Sequence, residues 1–162
     1  MRIGFGYDVH PLVVGRPLVL GGITIPYERG LEGYSDADVV VHALCDAMLG
    51  ALALGDLGQH FPSTEERWRG VSSLVLLQHV MHLLTVHHYI VGNVDITVVA
   101  QRPRLSPYVP QMVRTLATTL ASSPQQISVK ATTTDGLGFV GQEAGIAAYA
   151  VCLLYPQPSS EQ

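Results

Sequence analysis

At 162 residues the chain has the length of one domain with a real buried core. Apolar residues make up 48% of it and charged ones only 14%, yet no unbroken apolar run reaches the roughly eighteen residues a membrane span needs. A formal net charge of −4 with no basic cluster argues against nucleic acid or an anionic membrane as partner, and so apolar a composition predicts self-association instead.

The first segment, Met1-Arg2-Ile3-Gly4, enters a strand without a signal or transit pattern. Cys45 and Cys152 are too few for a disulfide framework and read as buried thiols, which together predict a cytoplasmic protein. Residues 2 to 10 form that strand. Side chains alternate along it, so Asp8 and His10 point to one face. Gly4-Phe5-Gly6 has no helix following at the right place, which excludes a dinucleotide-binding fingerprint.

Short strands at Leu18 to Leu20 and Ile23 to Ile25 are joined by Gly21-Gly22 as a tight hairpin. Pro26 to Gly33 reads as a loop. Ser35 then suits the N-cap of a helix running through Leu52, with Asp38 as the acidic half of a capping box and Asp36 at the positive end of the dipole. Gly55 is the expected stop. Asp38, His42 and Asp46, spaced i, i+4, i+8, share a face, with His42 about two turns in. Three ionisable groups on an otherwise apolar helix are costly to bury unpaired. A metal ion would pair them, with His42 as ligand and a carboxylate holding its second ring nitrogen. Asp8, His10 and His42 then make a His/His/Asp set suited to zinc with an open fourth position. The plainer reading is a capping Asp38 and a hydrogen-bonded core histidine. Cys45, one turn from His42, is a weaker ligand candidate.

Asp56 to Glu65 is a Gly- and Pro-marked loop of the kind that covers a site. Val71 to His87 is helical, with Leu74, Leu77, Val80, Met81 and Leu84 as its stripe. His79, His82, His87 and His88 lack an accompanying carboxylate or thiol and read as a solvated or interface face. Gly92 to Ala100 alternates as a strand. Arg102 and Arg104 lie in the next loop, and Pro107 opens a helix to about Ala121. Ile127 to Thr132 is a strand ending in Thr132-Thr133-Thr134-Asp135-Gly136, whose hydroxyls, acid and glycine can meet phosphate and metal. A last strand spans Gly145 to Leu154, and residues 156–162 read as a disordered tail beyond a single domain of residues 1–155.

Taken together, Arg2-Ile3-Gly4-x-Gly6-x-Asp8-Val9-His10, Ser35-Asp36-x-Asp38-Val39-x-x-His42-Ala43-Leu44-x-Asp46-Ala47, Leu54-Gly55-Asp56-x-Gly58-x-x-Phe61-Pro62, Gly92-Asn93-Val94-Asp95 and Lys130-Ala131-Thr132-Thr133-Thr134 resemble the 2-C-methyl-D-erythritol 2,4-cyclodiphosphate synthases of the non-mevalonate isoprenoid pathway. The resemblance implies an α+β fold, with helices packed on one side of a mixed sheet, and a homotrimer with active sites between subunits. It also implies that Asp8, His10 and His42 bind zinc, and that Mg2+ or Mn2+ bridges the substrate diphosphate and is held by Asp135. The implied reaction converts 4-diphosphocytidyl-2-C-methyl-D-erythritol 2-phosphate to the cyclic diphosphate and CMP by intramolecular phosphoryl transfer.

By the same resemblance, Thr133 is the hydroxyl that orients the diphosphate, and free N–H groups at the helix start around Tyr34 and Ser35 meet the 2-phosphate. Asp56, Leu57, Gly58, Phe61 and Pro62 face the methylerythritol part. Ala100, Arg104, Leu105 and Ser106 with Ala131, Thr132, Thr133 and Thr134 from an adjacent subunit enclose cytidine; Phe139 is a further substrate-binding residue and, with Tyr7, a wall of a cavity on the trimer axis. The sequence departs from the family's usual residues at Tyr34 for His, Ser63 for Asp, Arg104 for Lys, Asp135 for Glu and Gln142 for Arg. Two rival functions share the same residues: a zinc hydrolase of phosphoanhydrides, and a non-catalytic trimeric module that binds a cytidine nucleotide.

Overall fold

The computed structural model describes residues 1–158; the expected tail beyond Pro158 lies outside them. Its elements are β1 (Arg2–Val14), β2 (Leu18–Leu20), β3 (Ile23–Ile25), β4 (Arg29–Leu31), α1 (Val39–Ala51), α2 (Leu57–His60), α3 (Ser73–Val86), β5 (Tyr89–Val99), α4 (Val109–Thr119), β6 (Ile127–Thr132), α5 (Gly138–Gly141) and β7 (Gly145–Pro156). Five strands form one sheet in the order β4-β1-β7-β5-β6, and β2 and β3 form a separate hairpin. Only the β5–β6 pair is parallel, so the sheet is mixed and the architecture is α+β, as expected.

The helices cover one face of this sheet because β1 offers no side chains where α1 must lie. A Cβ added at Gly4 would come within 1.7 Å of the Ala47 carbonyl oxygen, and one at Gly6 within 1.9 Å of that of Ala43. Backbone therefore rests on backbone, and α1 crosses β1 at a separation no other residue permits. Gly6 and Gly4 pair with Ala150 and Cys152 of β7, which together with Ala148, Val94, Ile96 and Val98 complete the buried face beneath α1 and α3. The alternate residues of β1 and β7 form an apolar opposite face. Ile3 is 69% exposed, Phe5 62% and Val151 43%. No helix is long and apolar enough to cross a membrane among the described residues.

Several boundaries differ from those the sequence predicts. α1 begins three residues later than a Ser35 cap requires. The cap is Asp38, whose carboxylate accepts from Val40 N and Val41 N and also from Gly21 N (2.9 Å) and Gly22 N (2.7 Å) of the β2–β3 turn. Ser35 instead closes a local turn by accepting from Ala37 N, and Ala37 itself adopts φ 58°. At the other end Ala53, not Gly55, reverses the chain: it takes φ 57°, and Leu54 N reaches back to the Leu49 carbonyl.

The expected loop from Pro26 to Gly33 contains β4, which pairs with the part of β1 that continues past Pro11. Within the expected loop from Asp56 to Glu65 lies α2, capped by Asp56. α4 starts at Val109 with Pro110, rather than Pro107, in its first turn. Pro156, expected in the tail, is the last residue of β7 and pairs with Tyr89.

Candidate metal and substrate site

Where β1 leaves α1, its inward positions change from glycine to Asp8 and His10. The Gly6–Ala43 contact brings the first turn of α1 beside them, and His42, the fourth residue of that helix, meets Asp8. The His42 Nδ1 is 3.0 Å from Asp8 Oδ2, and the His10 Nε2 is 3.1 Å from the same oxygen. One ligand atom from each of the three residues lies within 4.8 Å of the others.

The remote ring nitrogens decide what this cluster can hold. His10 Nδ1 is 2.6 Å from the Glu32 carbonyl oxygen, which can only accept, so Nδ1 carries the proton and Nε2 presents its lone pair to Asp8. His42 Nε2 faces the hydroxyls of Ser73 at 2.9 Å and Ser35 at 3.1 Å. Ser73 donates its hydroxyl proton to Asp36 Oδ1, so its oxygen accepts from His42 Nε2 and the His42 lone pair is at Nδ1. Two imidazole lone pairs and a carboxylate oxygen thus converge, and an arrangement of acceptors alone requires protons or a cation between them. Burial pushes the Asp8 carboxyl up, but where protons fill the gaps the bonds from His10 and His42 outweigh it and hold the group down to about 2. Burial lowers the His10 pKa, and the Asp8 carboxylate beside it more than reverses that, for a net rise. The donor set fits a divalent metal such as zinc.

The carboxylates expected to hold His42 from its own helix do other work. Asp38 is wholly buried and binds the β2–β3 turn; burial raises its carboxyl to about 6, against the pull of the amide donors. Asp46 accepts from Leu57 N at 2.7 Å and fixes the start of α2. The carboxylate that serves His42 is Asp36, acting through Ser73 of α3. Cys45 is fully buried and outside the cluster.

A cavity of about 310 Å³ opens on the three ligands. Tyr34 and Ser35 line it, as do Asp56, Leu57, Gly58 and Phe61; Ser63 takes part and Pro62 does not. Trp68 and Leu76, which the sequence did not single out, complete an apolar wall, with Phe61 edge-on to Trp68 at 5.0 Å between ring centroids. Tyr34 and Ser35 precede α1, which begins at Val39, so their amides belong to the loop before the helix rather than to its start. Their carbonyls are engaged by Gly70 N and Arg16 respectively, and the Tyr34 hydroxyl donates to the Glu65 carbonyl at 3.2 Å.

A second cavity, about 580 Å³, lies at the carboxyl ends of the parallel pair β5 and β6. It gathers Ala100, Arg104, Leu105 and Ser106 with Ala131, Thr132 and Thr133. Tyr27, which sequence reasoning missed, also lines it. Ala100 N donates to the Thr132 carbonyl at 2.9 Å and joins the two loops. Thr134, Asp135 and Phe139 are outside its lining. The Thr134 hydroxyl donates to the Leu137 carbonyl, and Asp135 N donates to Thr133 Oγ1 at 3.2 Å, with Asp135 at φ 53°. The two cavities share no lining residue within one chain.

Comparison with known proteins places these features in a group. The profile of the YgbB family matches residues 1–155. A 2-C-methyl-D-erythritol 2,4-cyclodiphosphate synthase of Desulfitobacterium hafniense is 59% identical over 155 residues, covering 95% of this chain and 98% of that protein. A synthase of the same name from Geobacter metallireducens is also 59% identical, over 154 residues, with the same coverage of each. Among solved structures, the CDP complex of the Plasmodium falciparum IspF superposes with a TM-score of 0.86 at 35% identity over 97% of both chains. The bifunctional IspDF of Campylobacter jejuni gives 0.92 at 38% identity over 96% of this chain and 42% of that one.

Proposed function

The chain belongs to the YgbB family, and we propose that it converts 4-diphosphocytidyl-2-C-methyl-D-erythritol 2-phosphate to 2-C-methyl-D-erythritol 2,4-cyclodiphosphate and CMP, in the non-mevalonate route to isoprenoids in the cytoplasm. The observation that carries the reading is the convergence of Asp8, His10 and His42, each with its free electron pair turned inward. Near-full-length identity to synthases of that name, and the CDP complex of a relative, support the substrate class.

An oxygen of the 2-phosphate attacks the β-phosphorus. A new P–O bond forms as the bond from that phosphorus to the bridging oxygen breaks, and CMP departs with the oxygen and its electron pair. Both reacting groups are anions, so the site must neutralise charge and hold the bent substrate in line. Zinc held by Asp8, His10 and His42 would act as a Lewis acid on the diphosphate. The 2-phosphate would lie against the amides of Tyr34 and Ser35, whose loop Arg16 holds in place by donating to the Gly33 and Ser35 carbonyls at 2.9 and 2.8 Å. Asp56 to Gly58 and Phe61 would bind the methylerythritol part, and Asp46 fixes that segment through Leu57 N. Thr133 would donate to the diphosphate, and Asp135 would hold Mg2+ or Mn2+ beside it.

Cytidine would occupy the 580 Å³ cavity, in which Arg104 Nε donates to Ser106 Oγ and shapes the rim. The two cavities share no lining residue, which supports an active site to which neighbouring subunits supply one each. The apolar sheet face carrying Ile3, Phe5 and Val151 supports a homotrimer that buries it. The test is the product: purified protein given the authentic substrate should yield CMP and cyclic diphosphate in equal amounts. Inorganic phosphate or a linear diphosphate in their place would identify a hydrolase, and bound cytidine nucleotide without turnover a non-catalytic module.

A further inference from the structure

A metal-binding imidazole is oriented by what its other nitrogen donates to, and the two histidines of this site are served differently. His10 donates to a backbone carbonyl, Glu32 O, which no side-chain change removes. His42 depends on side chains that arrive from outside its helix. Ser73, the first residue of α3, is fully buried, and its hydroxyl lies between His42 Nε2 at 2.9 Å and the Asp36 carboxylate. Asp36 Oδ2 also accepts Ser73 N at 2.8 Å, so the carboxylate grips the serine through both its backbone N–H and its hydroxyl. Ser35 Oγ is near the same nitrogen but accepts from Ala37 N, and nothing fixes the direction of its proton.

We propose that Ser73, aligned by Asp36, is a positioning residue for the metal centre: it fixes His42 as the Nε2–H tautomer and so keeps the Nδ1 lone pair directed at the metal. The inference rests on the metal reading of the Asp8–His10–His42 site. It makes Asp36 and the start of α3 part of the centre, although neither touches the metal.

Ser73→Ala tests it, because the variant keeps the backbone N–H to Asp36 and with it the anchoring of α3. Ser72→Ala is the control: that side chain caps the same helix through Leu74 N and does not reach His42. With Zn2+ alone as probe, competed against a chromophoric chelator, Ser73→Ala should bind about 10–100-fold more weakly than the parent protein and Ser72→Ala equally well. A folded Ser73→Ala protein with affinity within about twofold of the parent would overturn the proposal. If the variant does not fold, nitrogen NMR of the zinc-loaded parent decides. The His42 proton should be at Nε2, protected from exchange, with Nδ1 shifted by the metal; a proton at Nδ1 overturns the proposal. Failure of the parent protein to bind Zn2+ at all would overturn the metal reading itself, a result distinct from either.

Discussion

Asp8 Oδ2 stands 3.0 Å from His42 Nδ1, and each is an electron-pair donor once Ser73 has fixed the proton of His42 on the opposite side of the ring. The contact is favourable only with positive charge between them, from a proton in the empty protein or from a metal. Most of what can be tested about the site descends from that relation.

His42→Ala should remove bound metal and turnover together. The loss of metal affinity should exceed the ~10–100-fold that an outer partner costs, because a ligand itself is gone. Metal content by elemental analysis and CMP release are the readouts, with thermal unfolding to show that the fold survives. Normal turnover in this variant would remove the metal from the mechanism.

Metal affinity should fall as pH is lowered. Asp8, held down to about 2, stays ionised throughout the neutral range, whereas His10 has a raised pKa and takes up a proton first. Metal must displace that proton, so below the raised His10 pKa the affinity should drop about tenfold per pH unit for one proton released. Titrations with Zn2+ between roughly pH 5 and 8 would show the slope, and a pH-independent affinity would contradict it.

Much of this centre was legible in the sequence. Asp8 and His10 share a face because a strand alternates, and that holds whatever the strand pairs with. The capping of α1 was not legible, since Ser35 and Asp38 both suit the position; the choice was made by the Gly21 and Gly22 amides, which need an acceptor and lie 16 or more residues away in sequence. Ser73 was invisible for the same reason, its bond to His42 spanning 31 residues. β4 escaped because Arg29-Gly30-Leu31 is too short to show a period, and it forms only as an edge partner for β1.

Asp38→Ala should cost about 3 kcal/mol or more of stability, since it strands four buried or part-buried amides of the α1 start and the β2–β3 turn. A shift in the denaturant midpoint checks this. A loss below about 1 kcal/mol would mean that water or another acceptor replaces the carboxylate.

Gly6→Ala should be destabilising by about 3 kcal/mol or more and should weaken metal binding as well. Its Cβ would fall 1.9 Å from the Ala43 carbonyl oxygen, so α1 must move and carry His42 with it. Melting temperature and zinc affinity measured on one preparation should fall together; a variant with both unchanged would show that α1 does not rest on β1 as described.

Phe5→Glu should dissociate the assembly without unfolding the chain. Phe5 is 62% exposed on the apolar sheet face, and a carboxylate there is harmless in water but costly in a packed interface. Light scattering should give a trimer mass for the parent and a smaller species for the variant, with loss of turnover if the two cavities come from neighbouring subunits. A monomeric, active parent protein would refute both points.

The most direct test strips the purified protein with a chelator, restores Zn2+ in steps, and follows CMP and cyclic diphosphate from the authentic substrate in the presence of Mg2+. Both products should vanish on stripping and return in equal amounts, reaching full rate when each chain holds one zinc. Undiminished cyclisation by protein shown to hold no metal at Asp8, His10 and His42 would contradict the account.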